Sequence, residues 1–170
     1  PTSDEIYPSY TAAVDGLTGL SGASAHLVAT DALAWNKADT AKEVRLYHSA
    51  TGGFKSNGTV LPEGDYITLT PTGKNYDGDG TYMDGFKTFT IASADQAKLK
   101  DLVKEELVAV AVSSSDTVLA TTQVQTAQLL DALFAEKAKA LEYGAIVSDS
   151  GVTFRLWAPT AKSVSLVTYN

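Results

Sequence analysis

Cysteine is absent from the 170 residues, which excludes disulfides, thiol chemistry and cysteine-ligated zinc. Histidine is nearly absent: His26 and His48 are the only two, and with no cysteine or helically spaced second histidine beside either, they read as packed or surface residues and not as a metal pair. Positive charge is scarce as well. Thirteen Lys and Arg stand against 20 Asp and Glu, a net charge of −7 with a pI near 4.7. Such a surface disfavours nucleic acid and anionic lipid and leaves neutral partners such as polysaccharides open. No apolar run approaches the roughly 20 residues of a membrane span. Pro1 starts without a charged and apolar leader, which reads either as a leader removed or as a piece cut from a longer chain, and the second is favoured because the C-terminal stretch also reads as cut short. There is no Gly-x-Ser-x-Gly elbow, so no nucleophile is assigned.

What is there is ordinary for a globular chain, 44% hydrophobic and 19% charged. The most informative stretch lies near the end. Val152, Phe154 and Leu156 alternate with Thr153, Arg155 and Trp157, and Val164, Leu166 and Thr168 repeat the pattern, which predicts two strands. Ala158-Pro159-Thr160 between them must turn, because proline donates no backbone hydrogen bond and holds the preceding residue extended. Upstream, residues 1–23 read as a linker or arm. Short strands are predicted at Ala25–Ala29, Ala32–Trp35, Val44–Ser49, Thr59–Leu61, Tyr66–Thr70, Phe86–Ile91, Leu107–Val112 and Val118–Thr122, separated by Gly, Pro, Asn and Asp. Ser93 or Asp95 is expected to cap a short helix, and Thr126 precedes a clear one in which Leu129, Leu130, Leu133, Phe134 and Leu141 form an apolar stripe, with Gly144 as its stop. This order predicts a mainly β fold, an Ig-like antiparallel β-sandwich with one or two peripheral helices over residues 24–142; that residues 143–170 are the first strands of a truncated second sandwich is implied only by a family resemblance of the stretch around Pro159.

Strand, Trp157-Ala158-Pro159-Thr160-Ala161, strand resembles the opening of the carbohydrate-binding-type β-sandwich that precedes the catalytic barrel in debranching and branching enzymes of the α-amylase superfamily. Ala23-Ser24-Ala25-His26, Leu33-Ala34-Trp35, Arg45-Leu46-Tyr47-His48-Ser49 with Gly52-Gly53, and Thr122-Gln123-Val124-Gln125 with Leu130-Asp131-Ala132-Leu133 come in the order of the N-terminal accessory domain of pullulanases and limit dextrinases, which they resemble. Leu27 departs from that family, which commonly has tryptophan there. The resemblance implies a secreted or surface enzyme that hydrolyses α-1,6 branches in pullulan, starch or glycogen. It puts the catalytic carboxylates in a barrel beyond Asn170 and makes this chain a non-catalytic accessory region whose partners are the C-terminal modules and the barrel of the same polypeptide. The competing reading is an Ig-like interaction or adhesion module of a bacterial surface protein, and a third makes the chain an enzyme itself.

The residues offer two candidate sites. Trp35, Tyr47, Tyr76 and Tyr82 are rings on which a pyranose could stack, with Tyr76 and Tyr82 flanking the acidic loop as the expected exposed pair, although a strand tryptophan is more often core, and Trp157 still more so. Asn75, Asp77, Asp79 and Asp84 place oxygen ligands around Gly80 in partial imitation of a calcium loop, but Phe86 stands where the closing bidentate glutamate belongs. A solvated hairpin loop is the alternative. No cofactor is required, calcium is the one candidate ion, and α-glucan contact is expected to be weak.

Overall fold

A computed structural model describes residues 22–55, 61–78 and 81–169. The strands are β1 Ala25–Leu27, β2 Ala32–Trp35, β3 Glu43–Ser49, β4 Tyr66–Asn75, β5 Lys87–Ile91, β6 Glu106–Val112 and β7 Val118–Gln125, and then a separate pair, β8 Gly144–Ser148 and β9 Gly151–Arg155. The helices are α1 Ser93–Gln96, α2 Leu99–Leu102 and α3 Ala127–Lys139.

The first seven strands are hydrogen-bonded in the order β1-β2-β5-β4-β3-β6-β7. β1, β2, β5 and β4 against β3, β6 and β7 is the division of an immunoglobulin-type sandwich, so the predicted fold class is the observed one. Both sheet edges are also joined: β3 pairs with β4 through Val44↔Leu69 to Tyr47↔Tyr66, and β1 pairs in parallel with β7 through Ala25↔Val124 and His26↔Gln125. The circuit is closed, and no strand of this unit presents an open edge along its whole length.

Patterning explains the core. In β4, Ile67 and Leu69 are buried while Tyr66, Thr68 and Thr70 are exposed, the alternation of a strand wetted on one side. β6 does not alternate: Leu107 through Val112 are all buried. Leu107, Ala109 and Ala111 join the main core with Trp35, Leu46, Leu69 and Phe89, whereas Val108, Val110 and Val112 lie in a second cluster covered by Tyr47, Phe54, Leu61 and Val118. Each large side chain so enclosed contributes about 1.5–3 kcal/mol relative to exposure. The Pro62-Glu63-Gly64-Asp65 turn helps to hold that cover, since Gly64 sits at φ +139° and a Cβ there would lie 3.1 Å from the Phe54 ring.

Several sequence expectations change in detail. Thr59 and Val60 of one predicted strand lie outside the described residues. The single helix expected after Ser93 is two single turns, α1 and α2, neither with a side-chain cap. Such short helices persist through packing, here of Leu99, Leu102 and Val103 onto the core. Gly144 does not stop α3, which ends at Lys139; at φ +92° it opens β8 instead. The partner of β9 is this upstream strand, with Val147↔Val152 in register, and residues 163–169 form no ladder, so the second strand expected after Pro159 is absent among the described residues. The turn at Pro159 does form, closed by Ala161 N–H donating to the Ala158 carbonyl at 3.1 Å.

Candidate functional site

The candidate rings and oxygens fall at different depths. Trp35 is completely buried, and its indole N–H donates to Ser24 Oγ at 3.0 Å. The Ser24 amide in turn donates to Thr122 Oγ1 at 2.9 Å, and that hydroxyl donates to the Gly22 carbonyl at 2.8 Å. No face of the Trp35 ring reaches solvent, which corrects its assignment as a sugar platform: it is a core ring pinned across the β1–β7 seam. Tyr76 is half-buried against Ala34, Met83 and Phe86, with Gln128 Nε2 of α3 donating to its Oη at 3.3 Å. Gly78 lies so close that a Cβ there would come 2.1 Å from the Tyr76 hydroxyl. Tyr82 is 65% exposed, tilted at 58° to the His26 ring with centroids 5.8 Å apart, and His26 also meets Phe86 edge-on at the same centroid distance. Burial between these rings lowers the His26 pKa. Tyr47 is buried, so of the four candidate platforms Tyr82 alone is largely exposed.

The acidic loop is similarly dispersed. Asn75 closes β4 opposite Lys87, whose ammonium donates to Asn75 Oδ1 at 2.7 Å. That oxygen faces a cation already. Asp77 and Asp84 are exposed, and Asp79 lies outside the described residues. Among the described residues no three His, Asp or Glu side chains gather closely enough to hold a metal ion. Elsewhere among the described residues six carboxylates are committed to ion pairs, including Glu105 with His48 Nδ1 at 2.8 Å and Glu43 with Arg45 at 2.7 Å, while Asp116 receives the other end of the same guanidinium. None of these pairs offers the acid and free second carboxylate that glycoside hydrolysis uses.

Among the described residues, most of the exposed large hydrophobic side chains belong to the C-terminal hairpin and the residues after it. Val147 is 78% exposed, Phe154 55% and Leu156 69%. Trp157, expected in a core, is 46% exposed: its edge rests on Phe134 of α3 with ring centroids 6.1 Å apart at 79°, and no strand among the described residues covers the rest. Tyr143 Oη donates to the Ala138 carbonyl at 3.1 Å, Arg155 donates to the Glu142 carbonyl at 3.4 Å, and the Lys162 ammonium reaches the Ala50 carbonyl. An open cleft between α2, α3 and this segment is lined by Lys100, Lys104, Phe134, Leu156, Trp157 and Pro159. A partial signal for this joint exists in the amino-acid pattern, since Phe134 belongs to the apolar stripe of α3 yet is not needed by the core that Leu129, Leu130 and Leu133 serve.

Comparison with known proteins gives this arrangement a context. Residues 22–132 match the model of the pullulanase N2 domain. A pullulanase of Klebsiella pneumoniae is 35% identical over 167 residues, which are 97% of this chain and 15% of that protein. A pullulanase of Klebsiella aerogenes is 34% identical over 172 residues with the same coverage. The crystal structure of apo pullulanase from Klebsiella pneumoniae superposes with a TM-score of 0.73 at 38% identity over 85% of this chain and 16% of that one. A maltotriose complex of pullulanase from the same organism gives 0.73 at 36%, over 85% and 14%. The chain thus spans about 15% of the length of the curated relatives it matches. By the family model over residues 22–132, supported by these likenesses, the chain belongs to the pullulanase N2 domain family.

Proposed function

We propose that the chain is a non-catalytic accessory region of a pullulanase-like enzyme that hydrolyses α-1,6 branches in pullulan, starch or glycogen outside the cell or at its surface. Residues 24–142 are the accessory sandwich, and 143–170 open a carbohydrate-binding-type module. The sandwich packs against and positions the modules and catalytic barrel of the same polypeptide. Its own contact with α-glucan is weak, because Trp35 is sealed and Tyr82 stands without a second open ring beside it.

The observation that carries this reading is the exposed apolar surface of the hairpin and tail. A lone two-stranded hairpin is marginal in water, and contiguous apolar exposure on this scale marks a surface that another element covers. The test is made in a full-length enzyme carrying this region. Deleting residues 22–142 is expected to leave kcat on a short α-1,6 substrate nearly unchanged per folded molecule while shortening thermal half-life. Loss of kcat with the barrel still folded counts against an accessory role. The 170-residue chain alone is expected to release no reducing sugar from pullulan and to bind maltooligosaccharides with dissociation constants of about 1 mM or weaker.

A further inference from the structure

We propose that the Phe134–Trp157 contact is a positioning joint, which locks the β8–β9 hairpin onto α3 so that the helix sets the direction in which the hairpin leaves the sandwich. The inference rests on the accessory reading and names the residues through which positioning is achieved.

The connection itself is short and unlike a flexible linker. Between Lys139 and Gly144 stand Ala140, Leu141, Glu142 and Tyr143, with none of the glycine or serine that makes a linker behave as a coil. It is tied on both sides. The Tyr143 hydroxyl donates to the Ala138 carbonyl, which also accepts from the Leu141 amide just past the end of the helix. Arg155, the last residue of β9, donates to the Glu142 carbonyl, so the second strand is fastened to the start of the first. Trp157 then lies edge-on to Phe134 in the T-shaped geometry that aromatic pairs favour.

Phe134 can anchor only because its own helix is anchored. Leu129 of α3 is fully buried in the sandwich core, with Leu130 and Leu133 packed against it. A rigid path therefore runs from the core through α3 to Phe134, Trp157 and the hairpin. Each step is a packed side chain or a hydrogen bond. The core does not need Phe134, as the ring lies beside Trp157 and the Lys100–Lys104 cleft and not among the buried cluster. Its role is to orient the hairpin.

The experiment is backbone ¹⁵N relaxation on the 170-residue chain. In the unmodified chain, amides 144–155 should share the order of β3 and β6, with order parameters about 0.85. In Phe134→Ala, and independently in Trp157→Ala, the hairpin amides should fall below about 0.6 while β3 and β6 stay at about 0.85 and the thermal midpoint of the sandwich is unchanged. Phe134→Tyr should restore the hairpin order. Trp157→Ala guards against a variant that simply frays α3. Hairpin values already low in the unmodified chain, or values that survive both substitutions, overturn the joint. Because the 170-residue chain is tested without further modules or sugar, that failure leaves the accessory reading standing, and the deletion experiment can fail without touching the joint.

Discussion

The sandwich and the hairpin are built from similar residues, yet one is sealed and the other is open. β6 is buried on both faces over six consecutive residues, whereas every residue of β9 is exposed. The difference lies in neighbours and not in composition. Val108, Val110 and Val112 are covered because Phe54 and Leu61 fold over them from a distant loop, while Val147, Val152 and Phe154 stay at least half exposed. Apolar alternation states that a strand has a face to bury, and the rest of the polypeptide decides whether it is buried. Four substitutions break or sharpen this contrast.

Trp35→Ala attacks the sealed unit where it is deepest and should lower its unfolding free energy by about 3–5 kcal/mol, the range for deleting a buried aromatic ring. Urea unfolding followed by far-ultraviolet circular dichroism reads this loss; a change as small as that of a surface site would mean the ring is not core. Ser24→Ala removes the acceptor of the indole N–H and should remove about 1–3 kcal/mol, the desolvation cost of a buried donor left without a partner. The same melts measure it, and Ser24→Thr should recover part of the loss.

His26 lies at the margin of the sealed region, and its effect is on pH dependence. Burial holds its pKa below that of the unfolded chain, so the unfolded state binds more proton in the window below about pH 6.5. Stability should therefore fall as pH drops from about 6.5 toward the lowered folded value, and be unaffected by this group above that window. His26→Phe should flatten this component of the midpoint-versus-pH curve below about pH 6.5; an unchanged slope would remove His26 as its source. Phe154→Ser tests the open unit and should change sandwich stability by less than about 0.5 kcal/mol, as for an exposed site, while lowering light scattering at high concentration. A loss as large as that of Ser24→Ala would show that the hairpin shares the core.

The elements legible in the amino-acid pattern are those whose signal is local. The run Leu107–Val112 reads as a doubly covered strand without any knowledge of its cover, and Leu129, Leu130 and Leu133 read as the inner stripe of α3. What stayed hidden depends on distant partners. Tyr76 looks free beside its glycines, but Gln128, 52 residues away, bonds its hydroxyl. Asn75 looks like a cation ligand until the β4–β5 register sets Lys87 opposite it. Gly144 looks like a helix stop because a glycine there fits that role, although its positive φ serves the entry into β8. Trp35 fits either platform or core on local grounds, and only the Ser24 contact, 11 residues away and running through the β1–β7 seam, places it.

That seam also has a consequence for the order of events in folding. The Ser24–Thr122 hydrogen bonds join residues 98 positions apart, and closing so long a loop is the kind of step that slows a β domain. On a ribosome, β1 can meet β2 as soon as both have emerged, but its parallel partner arrives about a hundred residues later. The N-terminal strand is thus the clasp of a necklace, present from the first and fastened last. A refolding experiment with pulsed amide exchange should find the His26 and Gln125 amides protected after those of β3 and β6.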